Sequence, residues 1–187
     1  MKRLLTLAAV AVGSAYLAKY LKEKGSGQAG STAREDITVD VPVRTAYDQW
    51  TQFEEFPKFM DSVLEVRQLD DKRLHWKAEV LGKPIEWDAE IVEQVPDRRI
   101  AWRSTTGTPN SGVVRFEPQG ASRTKIVLEM TYSPTDPVEK AGDVLGAVAL
   151  EARRNLKKFK EMIEARGAET GAWRGSIHSP DSPRVTH

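Results

Sequence analysis

The sequence predicts an α+β fold in which a curved antiparallel β-sheet wraps around one long C-terminal α-helix. Several consecutive segments in the middle of the chain alternate apolar and polar residues with a period of two, which is typical of β-strands. A single apolar stripe with helical spacing then runs from Val138 to Ile163. Because nothing else in the chain can bury that stripe, the long helix must lie against one face of the sheet.

The region before the meander predicts one strand and two short helices. Residues 35–41 form the predicted first strand, and Pro42 follows where proline is well tolerated, in the first turn of a helix. Four apolar residues then share one helical face: Val43, Ala46, Tyr47 and Trp50. A second short helix, rich in phenylalanine, is expected over residues 54–59.

Five or six short strands follow, with turn signals at residues 70–71, 83–84, 96–97, 108–110 and 120. Short connections between consecutive strands indicate an antiparallel meander. One face of each strand is apolar, and its residues are Leu74, Trp76, Ala78 and Val80; Ile85, Trp87, Ala89 and Ile91; Ile100, Trp102 and Ser104; Val114 and Phe116; and Ile126, Leu128, Met130 and Tyr132.

One long helix is predicted over residues 137–166. Asp136 suits the N-cap, Pro137 the first position and Gly167 the C-terminal cap. The apolar stripe of this helix recurs at steps of three and four residues: Val138, Ala141, Leu145, Val148, Ala152, Leu156, Phe159 and Ile163. A strand, two short helices, a meander and a long helix, in this order, constitute the helix-grip arrangement.

Residues 1–24 form a separate hydrophobic N-terminal segment, for which we predict a helix. An uncharged run of 15 residues extends from Leu4 to Ala18, and Tyr20 and Leu21 prolong it beyond Lys19. A helix over residues 4–21 is roughly 27 Å long, which is enough for a short membrane span. A retained membrane anchor is the favoured interpretation; a cleaved export signal and a soluble helix are the alternatives. Basic residues flank the run on both sides, so they do not indicate which end of the segment would face the cytoplasm.

Two polar segments bound the predicted domain of residues 35–166. Residues 25–34 are rich in Gly and Ser and predict a flexible linker, with a reach on the order of 20 Å. Residues 167–187 predict a disordered tail. For Trp173 within this tail, docking on the domain and free exposure are both open.

Composition argues against several classes of function. The chain has 28 Lys and Arg against 27 Asp and Glu, so it lacks the basic excess expected of a nucleic-acid-binding protein. It has no cysteine, which excludes disulfides and thiol chemistry. Its three histidines are His75, His178 and His187, two of them in the predicted tail, and no metal-ligand set or cofactor motif is recognisable. No metal or cofactor is therefore expected.

Several motifs resemble a known superfamily. They are VDVPVRTAYDQW at residues 39–50, FEEFPKFM at 53–60, LHW at 74–76, WDAEI at 87–91 and IAWRS at 100–104. Together they resemble the SRPBCC or START-like superfamily, and within it the polyketide cyclase/dehydrase group that includes the coenzyme Q-binding proteins. The resemblance implies a site for a lipid, quinone, steroid or polyketide between sheet and helix. Some members cyclise or dehydrate what they bind, and others act as subunits that bind macromolecules.

The apolar face of the predicted sheet supplies the candidate site. We expect a cavity lined by Trp76, Trp87, Trp102, Phe116, Met130 and Leu145, with Trp50 and Phe56 at its mouth. Ser104 and Tyr132 are the polar groups of this face and could hydrogen-bond a carbonyl or hydroxyl of the ligand. The alternative is that the aromatic residues fill the core and that Ser104 and Tyr132 bond to backbone or water.

Acid–base chemistry has weak support in the sequence. A catalytic site needs a carboxylate or histidine that points inward, whereas His75 and Asp88 fall on the outer face of the sheet. Glu93 continues the inward parity of its strand, but it lies near the strand end, where a bulge could reverse it.

Three hypotheses of function follow. The first is non-catalytic binding or transport of a hydrophobic small molecule by a protein that residues 4–21 hold at a membrane. The second is a cyclase or dehydratase, and the third is a protein–protein interaction module with a filled core.

Overall fold

The computed structural model describes residues 31–80, 83–106, 110–132 and 141–178. Its elements are β1 (Ser31–Val39), α1 (Val43–Trp50), a 3₁₀ helix (Phe53–Lys58), β2 (Val63–Gln68), β3 (Arg73–Val80), β4 (Lys83–Val95), β5 (Arg99–Ser104), β6 (Ser111–Pro118), β7 (Thr124–Tyr132) and α2 (Ala141–Arg166). The seven strands form one antiparallel sheet in the order β1-β7-β6-β5-β4-β3-β2. This is the predicted helix-grip arrangement, and the predicted fold class is confirmed.

Two strand boundaries differ from the prediction. Residues 31–34, assigned to the flexible linker, belong to β1, where they pair with β7 and bury Ala33. Lys83 and Pro84 begin β4 instead of forming a turn, and Pro84 pairs with Glu79. The hairpin of β3 and β4 thus extends as far as residue 83. The remaining residues of the predicted linker, 25–30, lie outside the described part of the chain.

Helix α2 lies along β1 and is held there by charged side chains as well as by its apolar stripe. Arg153 donates two hydrogen bonds to Glu35, of 2.9 and 3.0 Å. Lys160 donates to the carbonyl oxygen of Thr38 at 2.7 Å. The stripe is buried as predicted at Val148, Ala152, Leu156, Phe159 and Ile163. The predicted start of the helix at Asp136 and Pro137 lies outside the described residues.

Aromatic rings fill the end of the domain where α1 and the 3₁₀ helix meet α2. Trp50 lies at the centre of this cluster, 4.8 Å from Phe159, 5.7 Å from Phe56 and 6.0 Å from Phe116, measured between ring centroids. These contacts have the edge-to-face geometry that aromatic quadrupoles favour. This end of the core is consequently filled.

The chain after α2 is ordered through residue 178, which corrects the prediction of a disordered tail over residues 167–187. Gly167 ends the helix with φ of 70°, as its predicted capping role requires. Residues 168–178, here called the C-terminal strap, then cross α1 and the end of β4. Trp173 docks on the domain, where its indole nitrogen donates a hydrogen bond of 3.1 Å to Asp71. Ile177 is buried and pairs with Gln94. Residues 179–187 are outside the described range.

The hydrophobic N-terminal segment at residues 1–24 also falls outside the described residues. Within the residues that are described, no helix combines the length and the apolarity needed to cross a bilayer.

Candidate ligand-binding cavity

A cavity of about 180 Å³ lies between the sheet and residues 148–155 of α2. Its origin is the position of the helix, which packs most closely on β1 at one edge of the seven-stranded sheet. The strands farther from β1 are therefore not covered by the helix at this end of the domain. Their inward-facing apolar side chains line a space there instead of a solid core.

Two stacked tryptophans form one wall of the cavity. Trp76 on β3 and Trp87 on β4 are direct partners in the antiparallel register. Their rings are 5.6 Å apart between centroids, and the angle between their planes is 9°. Phe56 contacts Trp76 edge-to-face at 5.7 Å. This contact joins the stacked pair to the aromatic cluster around Trp50.

The third tryptophan of the cavity, Trp102, is fixed by a hydrogen bond and a glycine. Its indole nitrogen donates to the side-chain oxygen of Asn110 at 3.2 Å. Gly112 lies directly opposite Trp102 in the register of β5 and β6, and its lack of a side chain leaves room for the ring. Trp102 therefore lies against the sheet and leaves space beside it.

Polar groups occupy part of the cavity surface. Asn110, Ser111 and Thr131 lie at the ends of the central strands, and Ser62, Glu151 and Asn155 lie where α2 faces the start of β2. The Ser62 hydroxyl donates to Glu151 Oε1 at 3.3 Å. Among the lining residues that the structure describes, Glu151 alone is ionisable. The lining is otherwise mainly apolar and suits a hydrophobic ligand.

Most of the predicted site residues meet in this cavity. Six of them line it: Trp50, Phe56, Trp76, Trp87, Trp102 and Met130. Phe116 does not, because it packs edge-to-face on Tyr47, 5.5 Å between centroids, within the filled end of the core. Ser104 does not either, since its hydroxyl accepts the backbone N–H of Asn110 at 2.8 Å. The side chains of Tyr132 and Leu145 lie outside what the structure describes.

Glu151 and Asn155 on α2 line the cavity and were not predicted as site residues. Each lies beside the apolar stripe, since Val148, Glu151 and Asn155 follow one another at steps of three and four residues. That spacing places them on the edge of the buried face. Helical periodicity could therefore have found them, had polar residues been included in the stripe.

The residues considered for acid–base chemistry lie outside this lining. His75 Nδ1 is 2.8 Å from Asp88 Oδ1 on the outer face of the sheet, and the hydrogen bond with His75 lowers the pKa of Asp88. A register shift between Ile91 and Glu93 turns Glu93 towards Arg99, with which it forms an ion pair. Within the described residues, no three His, Asp or Glu side chains are grouped to hold a metal ion.

Sequence comparison finds relatives over most of the chain. A family model described as polyketide cyclase/dehydrase and lipid transport matches residues 39–161. A Streptomyces lincolnensis protein, described as an uncharacterized 17.2 kDa protein in the melC2–rnhH intergenic region, is 47% identical over 148 residues. This alignment covers 79% of the present chain and 99% of that protein.

Solved structures show the same fold. A crystal structure of a Deinococcus radiodurans protein is 31% identical, with a TM-score of 0.58, and the match covers 73% of this chain and 98% of that one. The Zhui aromatase/cyclase of a Streptomyces species has a TM-score of 0.63 at 17% identity, covering 78% of this chain and 100% of that one. The second likeness concerns the fold alone. As its sequence motifs predicted, the chain belongs to the polyketide cyclase/dehydrase and lipid transport family.

Proposed function

We propose that this protein binds a hydrophobic small molecule, without catalysis, in the cavity between its sheet and α2. The observation that carries the proposal is the apolar cavity of about 180 Å³ walled by the stacked Trp76–Trp87 pair and by Trp102. Aromatic walls of this kind give a ligand a large apolar contact area at a small cost in side-chain entropy. Membership of a family described by cyclisation, dehydration and lipid transport supports the same class of ligand.

The size of the cavity limits the ligand. Because an engineered apolar cavity of about 150 Å³ binds benzene, a cavity of about 180 Å³ accommodates one ring with a short substituent. A long acyl or polyprenyl chain would place only one end inside and would project outwards. The proposed ligand is thus a small aromatic molecule, or the ring or chain end of a larger lipid, quinone or polyketide.

Binding is favoured over the two other hypotheses by the cavity itself. A cyclase or dehydratase needs an acid and a base at the reacting atoms, whereas the described lining contains one ionisable group, Glu151. His75, Asp88 and Glu93, the groups considered from the sequence, are not among the lining residues. A protein–protein module with a filled core would have no need of the space beside Trp102.

Titration of the full-length chain with propylbenzene tests the proposal. We expect heat of binding in calorimetry and a shift of tryptophan emission to shorter wavelength, because the probe makes the surroundings of the indole walls more apolar. Native mass spectrometry of protein purified without detergent should also reveal a co-purified apolar compound. The matched control is Ala152→Phe, which adds a ring at a buried lining position. The control should keep its circular dichroism spectrum and lose binding; equal binding by both chains, or by neither, would contradict the proposal.

We further propose that residues 4–21 hold the domain at a membrane, where an apolar ligand would be taken up or delivered. This proposal is supported by the uncharged run from Leu4 to Ala18 and by basic residues on both sides of it. In flotation with phosphatidylcholine vesicles, the full chain should float, and a chain beginning at residue 25 should sediment. A mature protein whose intact mass shows removal of the segment would indicate the alternative, export after cleavage.

A further inference from the structure

Glu151 introduces a negative charge into a cavity that is otherwise apolar or neutral. It lies one turn before Asn155 on the face of α2 that borders the cavity. Its Oε1 accepts a hydrogen bond from the hydroxyl of Ser62 at 3.3 Å, and Ser62 lines the cavity as well. Glu151 and Ser62 thus form a polar spot on the cavity surface where the helix faces the start of β2.

The neighbouring cations are weak partners for this carboxylate. Arg154 Nη1 is 4.0 Å from Glu151 Oε2, and the Arg154 side chain is 65% exposed, so solvent screens this pair. Lys158, further along the helix, is engaged by Asp61 through two contacts of 2.5 and 2.6 Å. Glu151 therefore keeps acceptor capacity for a group that enters the cavity.

We propose that Glu151 selects ligands that carry a hydrogen-bond donor, a hydroxyl or an amine, at the end of an apolar ring, and rejects ligands that carry a carboxylate. This inference rests on the proposed binding function and specifies its ligand class. A hydrogen bond to a carboxylate is stronger than one between neutral groups. A ligand carboxylate would meet a like charge beside a carboxylate that is 26% exposed, where partial shielding from solvent makes repulsion stronger than in bulk water. Phenols and aromatic amines fit these demands, and aromatic acids and free fatty acids do not.

Three probes that share one propylphenyl frame and differ in the group at its end test this selectivity: 4-propylphenol, 4-propylbenzoate and propylbenzene. We expect the full-length chain to bind the phenol about tenfold more tightly than propylbenzene, because the donor gains a charge-assisted bond. The benzoate should bind more weakly than propylbenzene. Affinities are measured by calorimetry at neutral pH, where the phenol is neutral and the benzoate is anionic.

The variant Glu151→Gln removes the charge and keeps an oxygen that can accept from Ser62. It should lose the tenfold preference for the phenol and gain affinity for the benzoate. The matched control Glu161→Gln lies on the same helix with a 63% exposed side chain and should leave all three affinities unchanged.

The outcomes distinguish this inference from the proposed function. Equal affinity of the native chain for all three probes, or tighter binding of the benzoate, would overturn the selectivity and leave the apolar site intact. If none of the three probes binds, propylbenzene included, the binding function and the selectivity are both overturned. The selectivity of the native chain decides the question even where Glu151→Gln does not fold.

Discussion

The indole ring of Trp102 lies directly against the α-carbon of Gly112 on the neighbouring strand. A β-carbon at residue 112 would be 2.6 Å from the Trp102 ring and 2.6 Å from the carbonyl oxygen of Glu129. Real β-carbons do not approach other atoms so closely. The cavity wall at Trp102 therefore depends on a glycine in a strand, a position where glycine usually weakens the sheet.

Gly112→Ala should lower the free energy of unfolding by about 1–3 kcal/mol, as overpacking of a close-packed site does. Part of the clash is with the backbone of Glu129 and cannot be relieved by rotating a side chain. Urea denaturation of the two single variants and of the double variant Trp102→Ala/Gly112→Ala measures the coupling free energy between residues 102 and 112. The double variant should lose less stability than the sum of the singles; strict additivity would mean that the ring does not press on residue 112.

Gly146 provides the matched control for this substitution. It lies in α2, is exposed, and a β-carbon there would meet nothing within 4 Å. Since alanine is favoured over glycine in a helix by about 1 kcal/mol, Gly146→Ala should stabilise the protein by up to that amount. A loss of stability at this position would show that α2 does not form as described around residue 146.

Trp76 should set the upper size limit of the ligand. It stacks on Trp87 and contacts Phe56, and all three rings line the cavity. Trp76→Ala should therefore enlarge the space, cost about 3 kcal/mol of stability, and admit a two-ring probe such as naphthalene. Calorimetry should show that the affinity for naphthalene rises relative to the affinity for propylbenzene. An unchanged ratio of these two affinities would mean that a residue other than Trp76 limits the size of the ligand.

The strand alternation in the sequence was enough to predict the walls of the cavity. Trp76, Trp87 and Trp102 all face the cavity from three consecutive strands, and the period of two holds through each of them.

Alternation fails where a strand bulges. The register shift after Ile91 turns Glu93 outwards and lets Gln94 take a buried position, where it donates to the hydroxyl of Tyr47 at 3.0 Å.

Strand β2 and the C-terminal strap could not be located from local pattern. In β2 the buried residues are Val63 and Val66, three apart, because the register shifts between Val63 and Glu65. The strap is polar in composition, and its order depends on contacts with residues more than 70 positions away, such as Asp97. Tertiary hydrogen bonds of this kind leave no periodic signal in the sequence.

Arg174 should be the main fastening of the strap. It donates to Asp48 and Asp97 at 2.6 Å each, and Asp48 is 1% exposed. Among the described residues, Arg174→Met would leave the buried Asp48 carboxylate with one cationic partner, Arg44, 3.4 Å away on a 67% exposed side chain. We expect a loss of about 3 kcal/mol in unfolding free energy, because an unpaired buried charge is costly.

The double variant Asp48→Asn/Arg174→Met checks the cause of this loss. Asparagine removes the buried charge, so the double variant should be more stable than Arg174→Met alone. Urea denaturation gives the comparison, and proteolysis near Trp173 should increase in both variants as the strap loosens. Equal stability of the two variants would show that the strap is held by Trp173 and Ile177 and not by the ion pair.

Asp70 should make the stability of the β2–β3 hairpin dependent on acid pH. The backbone N–H of Lys72, the guanidinium of Arg73 and the N–H of Arg73 bond its carboxylate and lower its pKa from 3.8 to about 2. A lowered carboxyl pKa stabilises the folded state above the unfolded pKa, and this contribution is lost as pH falls through the folded value. The difference in unfolding free energy between the native chain and Asp70→Ala should therefore be constant above about pH 5 and shrink from pH 4 towards pH 2. Urea denaturation at a series of pH values measures it; a difference that does not change with pH would show that the hairpin contacts of Asp70 do not require its charge.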